Sequence, residues 1–123
     1  MNRFRIGVLT LTALSVVLVW ALPAVASSNA KKATAVTVSA GSPSEFKFKL
    51  SKMKVPKGSV TFTVKNVGAV PHDFKIAGKK TKILNPKQSA KLTVTFSKAG
   101  KFKFICTVPT HETLGMWGNL TVT

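Results

Sequence analysis

The chain contains 123 residues, with 19 Lys or Arg against 3 Asp or Glu, one Cys and two His, and this length allows one hydrophobic core. Apolar residues make up 45% of the chain, enough to bury a core, which excludes an intrinsically disordered protein. A single Cys excludes a disulfide scaffold and a Cys-rich zinc site, and three acidic residues disfavour a hydrolase built on paired carboxylates. These exclusions favour a small binding or carrier domain.

The N-terminus has the pattern of an export signal. Arg3 and Arg5 precede an uncharged run over residues 6–30, and Ala24-Val25-Ala26 supplies the small residues of an A-x-A cleavage site. We therefore predict a signal peptide over residues 1–26 and an exported protein, located in the periplasm, outside the cell or at the cell surface. The alternative is that the segment remains as a membrane anchor, because its apolar part is about 20 residues long, enough to cross a bilayer.

The mature chain is strongly basic. Removal of residues 1–26 leaves 97 of the 123 residues, with 17 Lys, 3 acidic residues and a formal charge of +14. We predict a linker over residues 27–33 and one domain over residues 34–123. Lys lacks the forked guanidinium that binds bases and phosphates in bidentate fashion, so nucleic acid is not expected as a partner. The charge instead predicts salt-sensitive association of a monomer with an acidic partner, or with an anionic membrane or cell-wall surface.

Short runs of alternating apolar and polar residues predict β-strands throughout the mature chain. Turn signals rich in Gly and Pro separate the runs, β-branched residues and Phe are frequent in them, and no segment has a sustained helical period. The predicted strands are Ala35–Ser39, Glu45–Leu50, Ser59–Asn66, Asp73–Ala77, Ser89–Phe96, Lys101–Cys106 and Met116–Val122. About seven strands at this spacing predict an all-β fold, a Greek-key β-sandwich of two sheets.

The alternation also assigns the two faces of each strand. Val60 and Phe62 share one parity and are expected in the core, whereas most Lys residues fall on the opposite, outer faces. In the run that ends at Cys106, the Cys has the same parity as Phe102 and Phe104. We therefore predict that the thiol points inward.

A single thiol in an exported protein needs protection from oxidation. Burial as an ordinary core residue would suffice, but Cys106 lies on one loop with His111 and Met116, and the only other His is His72, at the start of another strand. Two His, one Cys and one Met make the donor set of a mononuclear type 1 copper site, with a trigonal His₂Cys plane and a weak axial Met. A bound copper ion would also keep the thiol as a protected, deprotonated ligand.

The segment Cys106-x₄-His111-x₄-Met116 resembles the ligand loop of the cupredoxins, the type 1 blue copper family that includes plastocyanin and azurin. Its two four-residue gaps are most similar to those of auracyanin and rusticyanin. Residues 66–74 are similar to the family's first-His segment, and the likeness covers essentially the whole mature domain. The resemblance implies that His72, Cys106 and His111 hold one copper ion in a plane and that Met116 is its axial ligand.

The resemblance also predicts the surroundings of the copper ion. The family commonly has Asn or Ser after the first His, where this chain has Asp73. Because an unpaired buried carboxylate is costly, we expect Asp73 to turn outward, to solvent or to a Lys. The family uses an apolar patch around the second His as its electron port. Here the patch would comprise Ala69, Val70, Pro71, Val108, Pro109, Leu114 and Trp117, with Lys75, Lys79, Lys80 and Lys82 in its charged rim.

These features favour a one-electron carrier. The resemblance implies a small blue copper protein that shuttles single electrons between transient redox partners. The signal pattern predicts its export, and the charge predicts that these partners are acidic. One alternative is a periplasmic or extracellular copper chaperone or store without a redox circuit, and another is a metal-free β-sandwich interaction module. No enzyme is expected, because copper enzymes built on such domains need further His residues and this chain has only two.

Overall fold

The computed structural model describes residues 20–22 and 31–123. Most of the predicted signal peptide over residues 1–26, and most of the predicted linker over residues 27–33, lie outside the described residues. Cleavage of the N-terminal segment therefore stays a prediction. Within the described part of the chain, no helix is both long and apolar enough to cross a membrane.

The described residues form nine strands in two sheets. In chain order the strands are β1 (Thr34–Ala40), β2 (Phe48–Leu50), β3 (Lys54–Val55), β4 (Gly58–Asn66), β5 (Lys75–Ile76), β6 (Lys79–Lys80), β7 (Ser89–Phe96), β8 (Gly100–Ile105) and β9 (Trp117–Val122). One sheet has the order β2-β1-β4-β7 and the other the order β3-β9-β8-β5-β6. Strand β1 pairs parallel with β4, and β4 pairs antiparallel with β7. The predicted all-β sandwich of two sheets is confirmed.

Five predicted strands agree with the structure to within one residue, and two are shorter than predicted. The strand predicted to begin at Glu45 begins at Phe48, because the preceding residues form a turn in which Lys47 N donates to Ser44 O at 3.1 Å. The strand predicted over residues 73–77 is reduced to β5, because Ala77 and Gly78 form the turn into β6 and His72 pairs with Leu84 in an isolated bridge. Strands β3 and β6 have two residues each, too few for a periodic signal.

The apolar side chains of the alternating pattern fill the space between the sheets, as predicted. Val60 and Phe62 of β4 are fully buried, and Phe62 packs against Phe74 with ring centroids 5.3 Å apart. Phe74 in turn packs against Phe104 of β8 at 5.5 Å, which joins the two sheets through one aromatic cluster. The strand Lys residues at outer parity, such as Lys65, are exposed.

A second buried cluster lies at one end of the sandwich. It consists of Ala40, Cys106 and Met116, with partly buried Phe46 and Val108 packed against it. The loops that follow β1 and β4 approach closely there, because a Cβ at Gly41 would lie only 2.7 Å from the Cα of Gly68, and Gly41 has a φ of +90°. The fold thus brings the β1–β2, β4–β5 and β8–β9 loops to the same end.

Candidate metal centre

Three predicted ligand atoms converge at this end of the sandwich. The Nδ1 atoms of His72 and His111 are 3.2 Å apart, and the Sγ of Cys106 lies 4.0 Å from the first and 3.5 Å from the second. Three ligands at about 2.0–2.3 Å from one metal ion in a trigonal plane would be about 3.5 Å apart for two nitrogens and about 3.8 Å for nitrogen and sulfur. The observed separations therefore fit a single small metal ion.

Backbone hydrogen bonds close the loop that carries the remaining ligands. Cys106 N donates to Met116 O at 3.1 Å, Met116 N donates to His111 O at 3.0 Å, and His111 N donates to Val108 O at 3.1 Å. Met116 is fully buried in the same cluster as Cys106. The structure thus brings the fourth predicted residue to the site.

The first His is held by a different set of contacts. His72 pairs with Leu84 in an isolated β-bridge, with N to O distances of 3.0 and 2.7 Å. The buried side chain of Asn66 donates to Val70 O and to Leu84 O, each at 2.8 Å, and accepts a bond from Gly68 N at 2.9 Å. Asn66 therefore ties together both segments that position His72.

Burial controls the protonation of the ligand groups. Cys106 is 1% exposed, which confirms its predicted inward orientation, and this burial raises the pKa of its thiol. Burial also lowers the pKa of His111, and the nearby His72 lowers it further. Without a metal the site therefore favours a neutral imidazole beside a thiol, and metal binding must displace the thiol proton.

The prediction that Asp73 turns outward is wrong. Its side chain is 1% exposed, and its two oxygens accept hydrogen bonds from the Thr107 backbone N, at 2.6 Å, and from the Thr107 hydroxyl. The physical premise stands, since an unpaired buried carboxylate would be costly, but the partner is the residue after Cys106 rather than solvent or a Lys. Asp73 therefore braces the strand end that carries the thiol.

Glu45 is a residue of the site that the sequence reasoning missed. One of its carboxylate oxygens lies 2.7 Å from His72 Nε2, and the carboxylate also accepts bonds from Ala69 N at 2.9 Å and Val70 N at 3.2 Å. The Ala69 N–H is the main cause of the lowered pKa of Glu45, with the bond from His72 adding to it. The only signal in the sequence was its rarity, as one of three acidic residues.

Two large apolar side chains are exposed shortly after His111 in the chain. His111 is 8% exposed, whereas His72 is fully buried; Leu114 of the β8–β9 loop and Trp117, the first residue of β9, are about half exposed. Lys103 lies over the Trp117 ring at 5.1 Å, and its ammonium pairs with the Glu112 carboxylate at 2.6 Å. The predicted apolar patch of seven residues around His111 stays a prediction. The predicted rim of Lys75, Lys79, Lys80 and Lys82 stays a prediction.

A two-sheet β-sandwich with a buried His₂Cys cluster and a neighbouring Met at one end defines the cupredoxin class. Residues 11–122 match the family model described as the Cupredoxin-like domain, and the chain belongs to this family. The donor set and its spacing fit the cofactor of that class, one copper ion in a type 1 site.

The chain is similar to several known copper proteins. A 40-residue stretch is 48% identical to the copper-resistant cuproprotein CopI of Pseudomonas aeruginosa and covers 32% of this chain and 22% of that protein. Auracyanin A, a "blue" copper protein of Chloroflexus aurantiacus, is 23% identical with a TM-score of 0.65, over 75% of this chain and all of that chain (100%). Rusticyanin of Thiobacillus ferrooxidans is 23% identical with a TM-score of 0.61, over 72% and 76% of the two chains. The structural likenesses show the shared fold.

Proposed function

We propose that this protein carries single electrons through one copper ion held by His72, Cys106 and His111 in a plane, with Met116 as the axial ligand. The observation that carries the proposal is the convergence of the two Nδ1 atoms and the Sγ, all within 4.8 Å of one another at a buried site. When bound, the copper ion supplies a reversible Cu(II)/Cu(I) couple whose thiolate and imidazole donors suit both oxidation states.

Hydrogen bonds within the chain position the segments that carry the ligands. The backbone bonds among Cys106, His111 and Met116 and the bridge at His72 fix the donor atoms on the rigid sandwich. A prearranged donor set changes little between the two oxidation states, which lowers the reorganisation that electron transfer requires. Burial excludes water, and the partly exposed edge of His111 is the electron port of this proposal.

The surface supports transient partners. Half-exposed Leu114 and Trp117 follow His111 by three and six positions in the chain and offer apolar contact area, and Lys103 over the Trp117 ring offers a charged border. With a formal charge of +14 on residues 27–123, an acidic redox protein is the partner that charge complementarity favours, and anionic membrane or cell-wall polymer would retain the protein nearby. The same proposal includes a monomer exported to the periplasm or the cell exterior, since the first 26 residues have the signal pattern.

Reconstitution with Cu(II) tests the proposal. The wild-type protein is expected to develop an intense blue thiolate-to-copper charge-transfer band, to bind one copper ion per chain and to be reduced and reoxidised reversibly by one electron. Cys106→Ser removes the thiolate and is expected to abolish the band while leaving the β-sheet circular dichroism unchanged. A wild-type protein that stays colourless with Cu(II) would overturn the proposal.

The match to a copper-resistance protein favours a second candidate, copper handling without a redox circuit. The two candidates differ in how firmly the ion is held after reduction. An electron carrier is expected to retain Cu(I) through many redox cycles against a competing chelator, whereas a copper-delivery protein is expected to release it. Neither candidate requires catalysis, and with only two His in the chain no further His cluster can form a second copper site.

A further inference from the structure

The carboxylate of Glu45 has three hydrogen-bond partners next to the metal centre. It accepts bonds from the Ala69 and Val70 backbone N–H groups and lies 2.7 Å from His72 Nε2. The other two acidic residues of the chain have different partners: Asp73 bonds to Thr107 and Glu112 pairs with Lys103. Glu45 is therefore the carboxylate that contacts a predicted imidazole ligand.

This contact decides which nitrogen of His72 carries the proton. A carboxylate anion can only accept a hydrogen bond, so the Nε2 that faces Glu45 must be the protonated nitrogen of the neutral ring. The Nδ1 that faces Cys106 and His111 then keeps its lone pair, as a metal ligand must. With Glu45 in place His72 is fully buried, so the carboxylate and not water accepts this N–H bond.

The local chain is built to allow the contact. Glu45 lies in the turn after β1, 27 positions before His72 in the chain. Gly68 provides the space between them, because a Cβ there would overlap Glu45 Oε1 and would lie 3.0 Å from His72 Nε2. Any other residue at position 68 would force the carboxylate away from the ring.

We propose that Glu45 is a positioning residue of the copper site, which holds His72 in its Nε2-protonated form and favours Cu(II) over Cu(I). The inference rests on the proposed function. A carboxylate that accepts the distal N–H of a ligand imidazole orients the ring and increases its basicity, and both effects strengthen metal binding. Its negative charge, on the far side of a buried ring, stabilises the doubly charged ion more than the singly charged one.

The effect of the negative charge of Glu45 is tested with Glu45→Gln, which keeps the shape of the side chain but is neutral. Its matched control is Glu112→Gln, which removes the same charge from a half-exposed surface pair with Lys103. Glu45→Gln is expected to shift the ratio of Cu(I) to Cu(II) affinity at least tenfold toward Cu(I), a rise in reduction potential of about 59 mV for one electron. Glu112→Gln is expected to shift it less than threefold. Equal shifts in the two variants, or a fall in potential for Glu45→Gln, would overturn the inference.

Gly68→Ala provides a second variant that leaves both side chains in place. Its methyl group is expected to displace the carboxylate from His72 and to raise the potential in the same direction as Glu45→Gln. No change in the potential of a blue, folded Gly68→Ala protein would count against the role of the contact.

The metal-free protein gives an independent readout. Long-range ¹H–¹⁵N NMR spectra of the apoprotein are expected to show His72 as a single Nε2–H tautomer, and Glu45→Ala is expected to lose this single form. An Nδ1–H tautomer in the wild-type apoprotein would overturn the inference whether or not copper binds. A wild-type protein that never turns blue would instead overturn the proposed function, so the two failures are distinguishable.

Discussion

The Nδ1 atoms of His72 and His111 face each other at 3.2 Å, although the two residues are 39 positions apart in the chain. Two protonated imidazoles at that distance would repel, and both burial and the neighbouring ring lower the pKa of His111. The site therefore disfavours protonation of both rings at once. Backbone bonds fix the segments that carry both rings, because His72 pairs with Leu84 and His111 N donates to Val108 O.

The axial role of Met116 can be tested by Met116→Leu. Leu has a similar volume and no sulfur, so the buried cluster is expected to remain packed while the weak axial bond is lost. We expect the blue band to persist and the reduction potential to rise, by about 59 mV for each tenfold gain in the preference for Cu(I). Met53→Leu is the control, because Met53 is half exposed and outside the site. Loss of copper binding in Met116→Leu would contradict the axial assignment.

Asp73→Asn removes a buried negative charge from the strand end beside Cys106. The carboxylate accepts two bonds from Thr107, and an Asn can accept through only one oxygen. We expect the free energy of unfolding of the apoprotein to fall by about 1–3 kcal/mol and the reduction potential of the copper form to rise. Urea unfolding and cyclic voltammetry measure the two effects. An unchanged potential would show that Asp73 acts only on the backbone.

Asn66→Ala separates the positioning of His72 from its chemistry. The variant removes the side-chain partners of Val70 O, Leu84 O and Gly68 N at a buried position. Leu84 O keeps its bond from His72 N, but Val70 O and Gly68 N lose their Asn66 partner, which is expected to lower the free energy of unfolding by about 3 kcal/mol and to weaken copper binding, because the His72 segment is held less firmly. Asn119→Ala, at an exposed position of β9, is expected to have neither effect. Equal unfolding midpoints in urea for the two variants would contradict this account.

The basic surface predicts opposite salt dependences for anionic and cationic electron acceptors. Raising the ionic strength from about 0.01 to 0.15 M shortens the screening length from about 30 to 8 Å. The oxidation of the Cu(I) protein by anionic ferricyanide is therefore expected to slow severalfold, and its oxidation by a cationic cobalt complex to accelerate. Stopped-flow kinetics at constant pH measure both rates. Equal salt dependences would mean that the charge of +14 does not act at the electron port.

The sequence by itself determined the sandwich and the identity of the metal donors. Local alternation is sufficient to identify a strand such as Ser89–Phe96 and to give Cys106 its inward parity, because side chains in a strand alternate between two faces. The donor set also follows from inventory, since the only Cys and both His are the residues that converge.

Only the tertiary structure decided which carboxylates surround the donors. Glu45 has the same outer-face parity as Lys47 and Lys49 in the predicted strand. The turn that ends at Lys47 instead takes Glu45 out of the sheet and places it against His72. Asp73 turns inward because the start of the β8–β9 loop offers it the N–H and hydroxyl of Thr107. These contacts join residues 27 and 34 positions apart, and periodicity reports only on neighbours within one strand. The way separate loops meet at the end of a sandwich depends on packing over the whole fold.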